Sequence, residues 1–163
     1  MADKTIQFEP PEPIYTLFNT TRKELPEVIF VNEALLTFEH TEIFPWYLSI
    51  EVVYTEFADN EMPTPTESER LNDICDQLEP AVLEGRTKFD AVNSLFLARS
   101  TWGGIRELAF QVHDPEIAHK SLQELLKSQD WELEWQYEMR HDPTWQDAGY
   151  FFKLFPLAKG EDG

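Results

Sequence analysis

The chain has 163 residues, with 31 Asp and Glu against 13 Lys and Arg, a formal net charge of −18 at pH 7. That balance repels phosphate backbones and anionic membrane surfaces, so nucleic acid and membranes are not expected partners. Acidity of this kind chiefly keeps a protein in solution, and a basic protein surface is the partner that charge would favour.

The length suits one domain, 1–163, and the single cysteine, Cys75, cannot form an internal bridge. The first residues lack the basic start and apolar run of a secretory signal, and no stretch approaches the roughly 20 apolar residues of a spanning helix. Cytoplasmic residence is the expectation. Residues 1–13 carry Pro10, Pro11 and Pro13 and predict extended or disordered chain; residues 158–163 read as a solvated tail.

Strands are predicted over 14–20 and 28–36, joined as a hairpin through the polar stretch 22–26. The aromatic and β-branched run 46–57 predicts a central strand. Thr66 and Glu69 have the spacing of a capping box, and Leu71, Ile74, Cys75, Leu78 and Val82 form one helical face, with Pro80 expected to kink or shorten the helix and Gly85 to end it. Cys75 falls on that face, which predicts a buried structural thiol.

Residues 91–102 and 105–113 predict two strands joined by Gly103-Gly104, a pair suited to the positive φ angles of a tight hairpin. Asp114-Pro115 supplies an N-cap and first-turn proline for a helix to about Lys127, buried through Ala118, Leu122, Leu125 and Leu126. Trp131, Leu133, Trp135, Tyr137 and Met139 alternate with polar residues, a half-buried strand over 131–140. Asp142-Pro143 repeats the cap signal, and the apolar residues of 144–157 predict a short helix or turn packed on the core. From Trp46 to Arg140 the order is β-α-β-β-α-β, so the predicted class is α+β, a ferredoxin-like sandwich of four antiparallel strands with two helices on one face. The N-terminal hairpin either extends that sheet or covers its other face.

His113-Asp114-Pro115 and His141-Asp142-Pro143 close strands expected at one sheet edge, where His113, Asp114, His141 and Asp142 could in principle hold a metal or exchange protons as a small hydrolase. Asp-Pro at a strand-to-helix junction is already explained as a cap, and the histidines, like His40 and His119, read as surface residues. Arg99, Thr101, Trp102, Arg106 and Glu107 surround the Gly-Gly turn and are binding candidates for an anionic group, or a hairpin held by cross-strand pairs. Trp145 is a further binding candidate, and Trp102, Trp145 and Phe151 could line a small-molecule pocket. Glu132, Glu134 and Glu138 form an acidic stripe, either a docking surface or a solvated strand face. No phosphate loop, dinucleotide fingerprint, serine elbow or zinc spacing occurs, so no cofactor or metal is expected.

Leu48-Ser49-Ile50 leads to Met62-Pro63-Thr64-Pro65-Thr66-Glu67-Ser68-Glu69; the run from Ala98 to Glu107 follows, then His141-Asp142-Pro143-Thr144-Trp145 with Phe155-Pro156. Together these three stretches resemble the bacterial family known as domain of unknown function 695. Trp102 departs from the small or polar residue expected before the turn. The resemblance implies no catalytic residues, and the fusion of some members to a domain similar to the inhibitor of ribonuclease E implies a regulatory, protein-binding role. The functional expectation is a non-enzymatic binding or regulatory domain, monomeric or homodimeric, that meets a protein partner through its sheet edge or acidic face.

Overall fold

Residues 10–155 are described by a computed structural model. The first strands, β1 (Tyr15–Arg22) and β2 (Leu25–Asn32), form the predicted hairpin, but on a tighter turn. Only Lys23 and Glu24 lie between them, both at positive φ (52° and 69°), the primed-turn geometry whose twist matches that of paired strands. Strand β2 starts and ends earlier than 28–36. Asn32 ends it by accepting the Ala34 N–H and capping a 3-10 turn, Glu33–Thr37. Pro26 is tolerated within β2 because its hairpin partner Thr21 occupies a non-bonded position of the ladder, and on the other side the sheet pairs only with Val28 to Val31.

Strand β3 (Trp46–Val53) stops short of Phe57, because the backbone N–H groups of Thr55 and Glu56 turn to the Glu67 carboxylate instead of a ladder. Helix α1 (Pro65–Leu83) is capped by Thr64, two residues before the expected Thr66, with Pro65 in its first turn. It runs through Pro80 to Leu83 without being shortened there, and Gly85 lies just past its end. Strands β4 (Ser94–Trp102) and β5 (Ile105–Val112) turn on Gly103 and Gly104 at φ 53° and 95°. Helix α2 (Pro115–Lys127) starts on Asp114, whose carboxylate accepts the Glu116 N–H. Strand β6 (Trp135–His141) is shorter than 131–140, since Trp131 and Leu133 pack on the core from a loop. The last element is the short helix α3 (Gln146–Phe152).

The architecture is α+β, as predicted, but the sheet has six strands, in the order β1-β2-β4-β5-β3-β6, with every pair antiparallel. Of the two placements expected for the hairpin it takes the first: it extends the four predicted strands to six beyond β4 and leaves the opposite face to other elements. Central strands buried on both sides account for the near-continuous apolar runs of β3, β4 and β5. On one face Leu48, Ile50, Leu108 and Phe110 meet Leu71, Leu78 and Cys75 of α1 and Leu122 of α2. On the other, Ile29, Val31, Leu97 and Tyr47 meet Trp145 and Phe151 at α3. Among the described residues no helix is long and apolar enough to cross a membrane.

Candidate functional site

The two His-Asp-Pro segments do end β5 and β6 at one sheet edge, where Val112 and His141 both pair with Trp46. Their side chains nevertheless serve local structure. His113 Nδ1 lies 2.7 Å from the Ile43 carbonyl, and the His141 ring packs 4.9 Å from that of Trp46. Asp114 caps α2. Asp142, buried, accepts the N–H groups of Gln146 and Asp147 at 2.8 and 2.9 Å and so starts α3. Among the described residues no group of three His, Cys, Asp or Glu side chains could hold a metal ion.

Nor are the residues around the Gly-Gly turn gathered into one site. Arg99 is paired with Glu79 of α1 on the α1/α2 face. Arg106 is buried on that face, donating to Thr101 Oγ1 (2.9 Å) and Asn72 Oδ1 (2.8 Å); burial pushes its pKa down and that of the neighbouring Cys75 thiol up. Glu107 points to the opposite face and accepts from Tyr47 Oη and Ser49 Oγ at 3.0 and 2.7 Å. Burial, and then the Glu107 charge, hold the Tyr47 phenol above its ordinary range. Trp102 donates its indole N–H to the Arg22 carbonyl, with the Arg22 guanidinium 3.9 Å above its ring.

Trp145 and Phe151 are buried together in the α3-side core, of which Trp102, set against Arg22 at the Gly-Gly turn, is not a part. The acidic stripe is solvated and partly paired, Glu132 with Arg70 and Glu138 with Arg140.

A different surface is left open by the sheet extension. Helices α1 and α2 cover β3 to β5 but not the hairpin, so on their side the row Leu17, Phe30 and Arg99 runs across β1, β2 and β4 with Leu17 50% and Phe30 39% exposed. Tyr15, 57% exposed, sets its ring edge-on to Phe96 at 5.9 Å. Tyr15, Phe30 and Phe96 line a groove of about 300 Å³ whose polar wall is the Glu79–Arg99 ion pair.

The groove borders the open edge of the sheet. Strand β1 pairs only with β2 among the described residues, and bonded partners alternate along an antiparallel ladder. The Glu33 N–H bonds the Ile14 carbonyl, and Arg22 faces Leu25 across the two-residue turn, so even-numbered residues of β1 bond to β2. Tyr15, Leu17, Asn19 and Thr21 therefore direct their N–H and C=O groups outward. Residues 13–21 contain no charge, in a chain that is 27% charged. The opposite edge, β6, carries Glu138 and Arg140, the charged guard that natural sheets use against pairing with another chain. Sequence reasoning named the sheet edge, Arg99 of the groove and Glu138 of β6, but none of the residues of β1. The readable signal was the missing charge over 13–21.

No curated protein and no solved structure matches the chain. A family model described as a family of unknown function, DUF695, matches residues 16–154, from within β1 to beyond α3, so the hairpin is part of the matched unit. The chain belongs to this family of unknown function, DUF695.

Proposed function

We infer that this protein is a non-enzymatic binding domain that takes an extended segment of a protein partner onto β1, adding a strand to its sheet. The observation that carries this reading is the pairing of an unguarded edge with an uncovered apolar face at β1, while β6 at the other edge is charged. A segment laid along β1 would meet the outward N–H and C=O groups of Tyr15, Leu17, Asn19 and Thr21. Its alternate side chains would fall beside Tyr15, Leu17 and Phe30, and the groove over Glu79 and Arg99 would receive one of them. The partner segment is therefore apolar at alternate positions and free of net negative charge, given the −18 of the chain.

The strand order β6-β3-β5-β4, with α1 and α2 on one face, supports reading the region from β3 to β6 as a ferredoxin-like βαββαβ sandwich to which the docking hairpin is appended. A cytoplasmic setting is in keeping with the single, free and buried thiol of Cys75.

The test is titration of isotope-labelled protein with extended peptides that alternate apolar and polar residues, in neutral, basic and acidic versions. Neutral and basic peptides are expected to shift the amide signals of Tyr15, Leu17, Asn19 and Thr21, and Leu17→Lys is expected to abolish the effect. Peptides that shift β6 or the acidic stripe while leaving β1 unchanged would refute the assignment.

A further inference from the structure

We propose that the partner which docks on β1 is a second copy of this chain, paired antiparallel across a twofold axis at Leu17. This rests on the docking reading above and names its occupant. An isologous contact requires a surface complementary to itself, and β1 has that property in both charge and side-chain pattern.

Charge comes first, because two molecules of net charge −18 repel one another over most approaches. They can meet closely only where carboxylates are missing, and residues 13–21 provide such a stretch. Its ends carry opposite charges: Glu12, exposed, precedes it, and Arg22 follows it, its guanidinium bonded to the buried Glu27 at 3.0 Å and laid over Trp102 but its side chain still 41% exposed.

Antiparallel pairing of the open edges must set outward-facing odd residues opposite odd residues, which limits the registers available. With the axis at Leu17, that residue faces its own copy, Tyr15 faces Asn19, and Glu12 and Arg22 lie opposite one another beyond each end of the ladder. Moving the axis to Phe18 sets Glu12 against Glu24, and moving it to Asn19 sets Ile14 against Glu24, so charge complementarity selects Leu17. Pro13, opposite Thr21, has no N–H to offer, so the ladder closes just outside residues 15–19. The two Leu17 side chains then meet beside Tyr15 and Phe30 of each copy, joining two exposed apolar strips into one.

Sedimentation of the full chain is expected to give a concentration-dependent mass of twice 19.1 kDa. Leu17→Lys sets two like charges face to face and is expected to weaken the dimer by about tenfold or more, with an unchanged circular dichroism spectrum because the side chain is exposed. Register is read by cross-linking, since residues facing each other in a bonded pair have Cα atoms about 5.5 Å apart, within disulfide reach. Leu17→Cys is expected to link to itself under mild oxidation, while Tyr15→Cys and Asn19→Cys link to each other when mixed and poorly to themselves; Cys75 is buried.

A wild-type chain that stays monomeric at every concentration, or a dimer in which Leu17→Cys does not cross-link, would overturn self-pairing. Either result is separable from failure of the docking reading, which peptide binding to β1 decides on its own.

Discussion

Trp145→Ala is expected to lower the unfolding free energy by about 3–5 kcal/mol, the range for deleting a large buried aromatic side chain. Trp145 sits at φ 57°, just before α3, and its indole stacks on Phe38 at 5.7 Å within the α3-side core. Its Nε1–H donates to the Phe44 carbonyl at 2.9 Å, which also receives the Gln111 side chain at 3.0 Å. That second donor sharpens the expectation. Trp145→Phe keeps an aromatic ring in the stack and leaves the carbonyl bonded, so it should cost only about 1–2 kcal/mol. Urea unfolding followed by circular dichroism measures both. Two variants of equal stability would mean that the stack and the packing around it contribute little.

Glu67→Gln is expected to cost about 2 kcal/mol at neutral pH, the scale of hydrogen bonds to a charged group. Glu67 is wholly buried at the start of α1. Burial alone would raise its pKa. The N–H groups of Thr55 and Glu56, at 2.7 and 3.1 Å, and Arg70 at 2.7 Å outweigh it and hold the carboxyl below its ordinary range. A folded-state pKa below the unfolded value stabilises the protein above the ordinary glutamate pKa of about 4.3. That contribution fades as pH falls through the folded-state value. The stability gap between wild type and Glu67→Gln should therefore be full at pH 7 and narrow in acid. A gap unchanged down to pH 3 would contradict the assigned role of the carboxylate.

Glu67 also marks the limit of what could be read from sequence. The spacing of Thr66 and Glu69 announced a helix start, and a helix does start there, but the working cap is Thr64. Glu67 reaches across to the end of β3, a tertiary contact that local spacing does not encode. Asp114-Pro115 and Gly103-Gly104 were legible because a cap and a tight turn depend on neighbouring residues alone. The Lys23-Glu24 turn was not, because neither residue advertises a positive φ. Strand β6 was overextended because Trp131 and Leu133 alternate like strand residues while packing from a loop.

The same distinction governs the site candidates. Arg99, Trp102, Arg106 and Glu107 are close in sequence, but strand alternation sends Arg106 and Glu107 to opposite faces of the sheet. The His-Asp-Pro repeats share an edge, yet each aspartate is engaged by the helix it starts. What makes β1 a candidate is the sheet order, which leaves this strand at the rim and uncovered by α1. That order arises from long-range pairing. The uncharged composition of residues 13–21 gains meaning only once it is known.

Amide hydrogen exchange along β1 tests the docking edge most directly, because alternate residues there have different partners. In dilute solution the amides of Thr16, Phe18 and Thr20, bonded to β2, should be protected, and those of Tyr15, Leu17, Asn19 and Thr21 should exchange freely. Raising the protein concentration should protect Tyr15, Leu17 and Asn19 and leave the even set as it was. Odd-numbered amides that still exchange freely in the associated protein, with new protection appearing along β6 instead, would contradict the account.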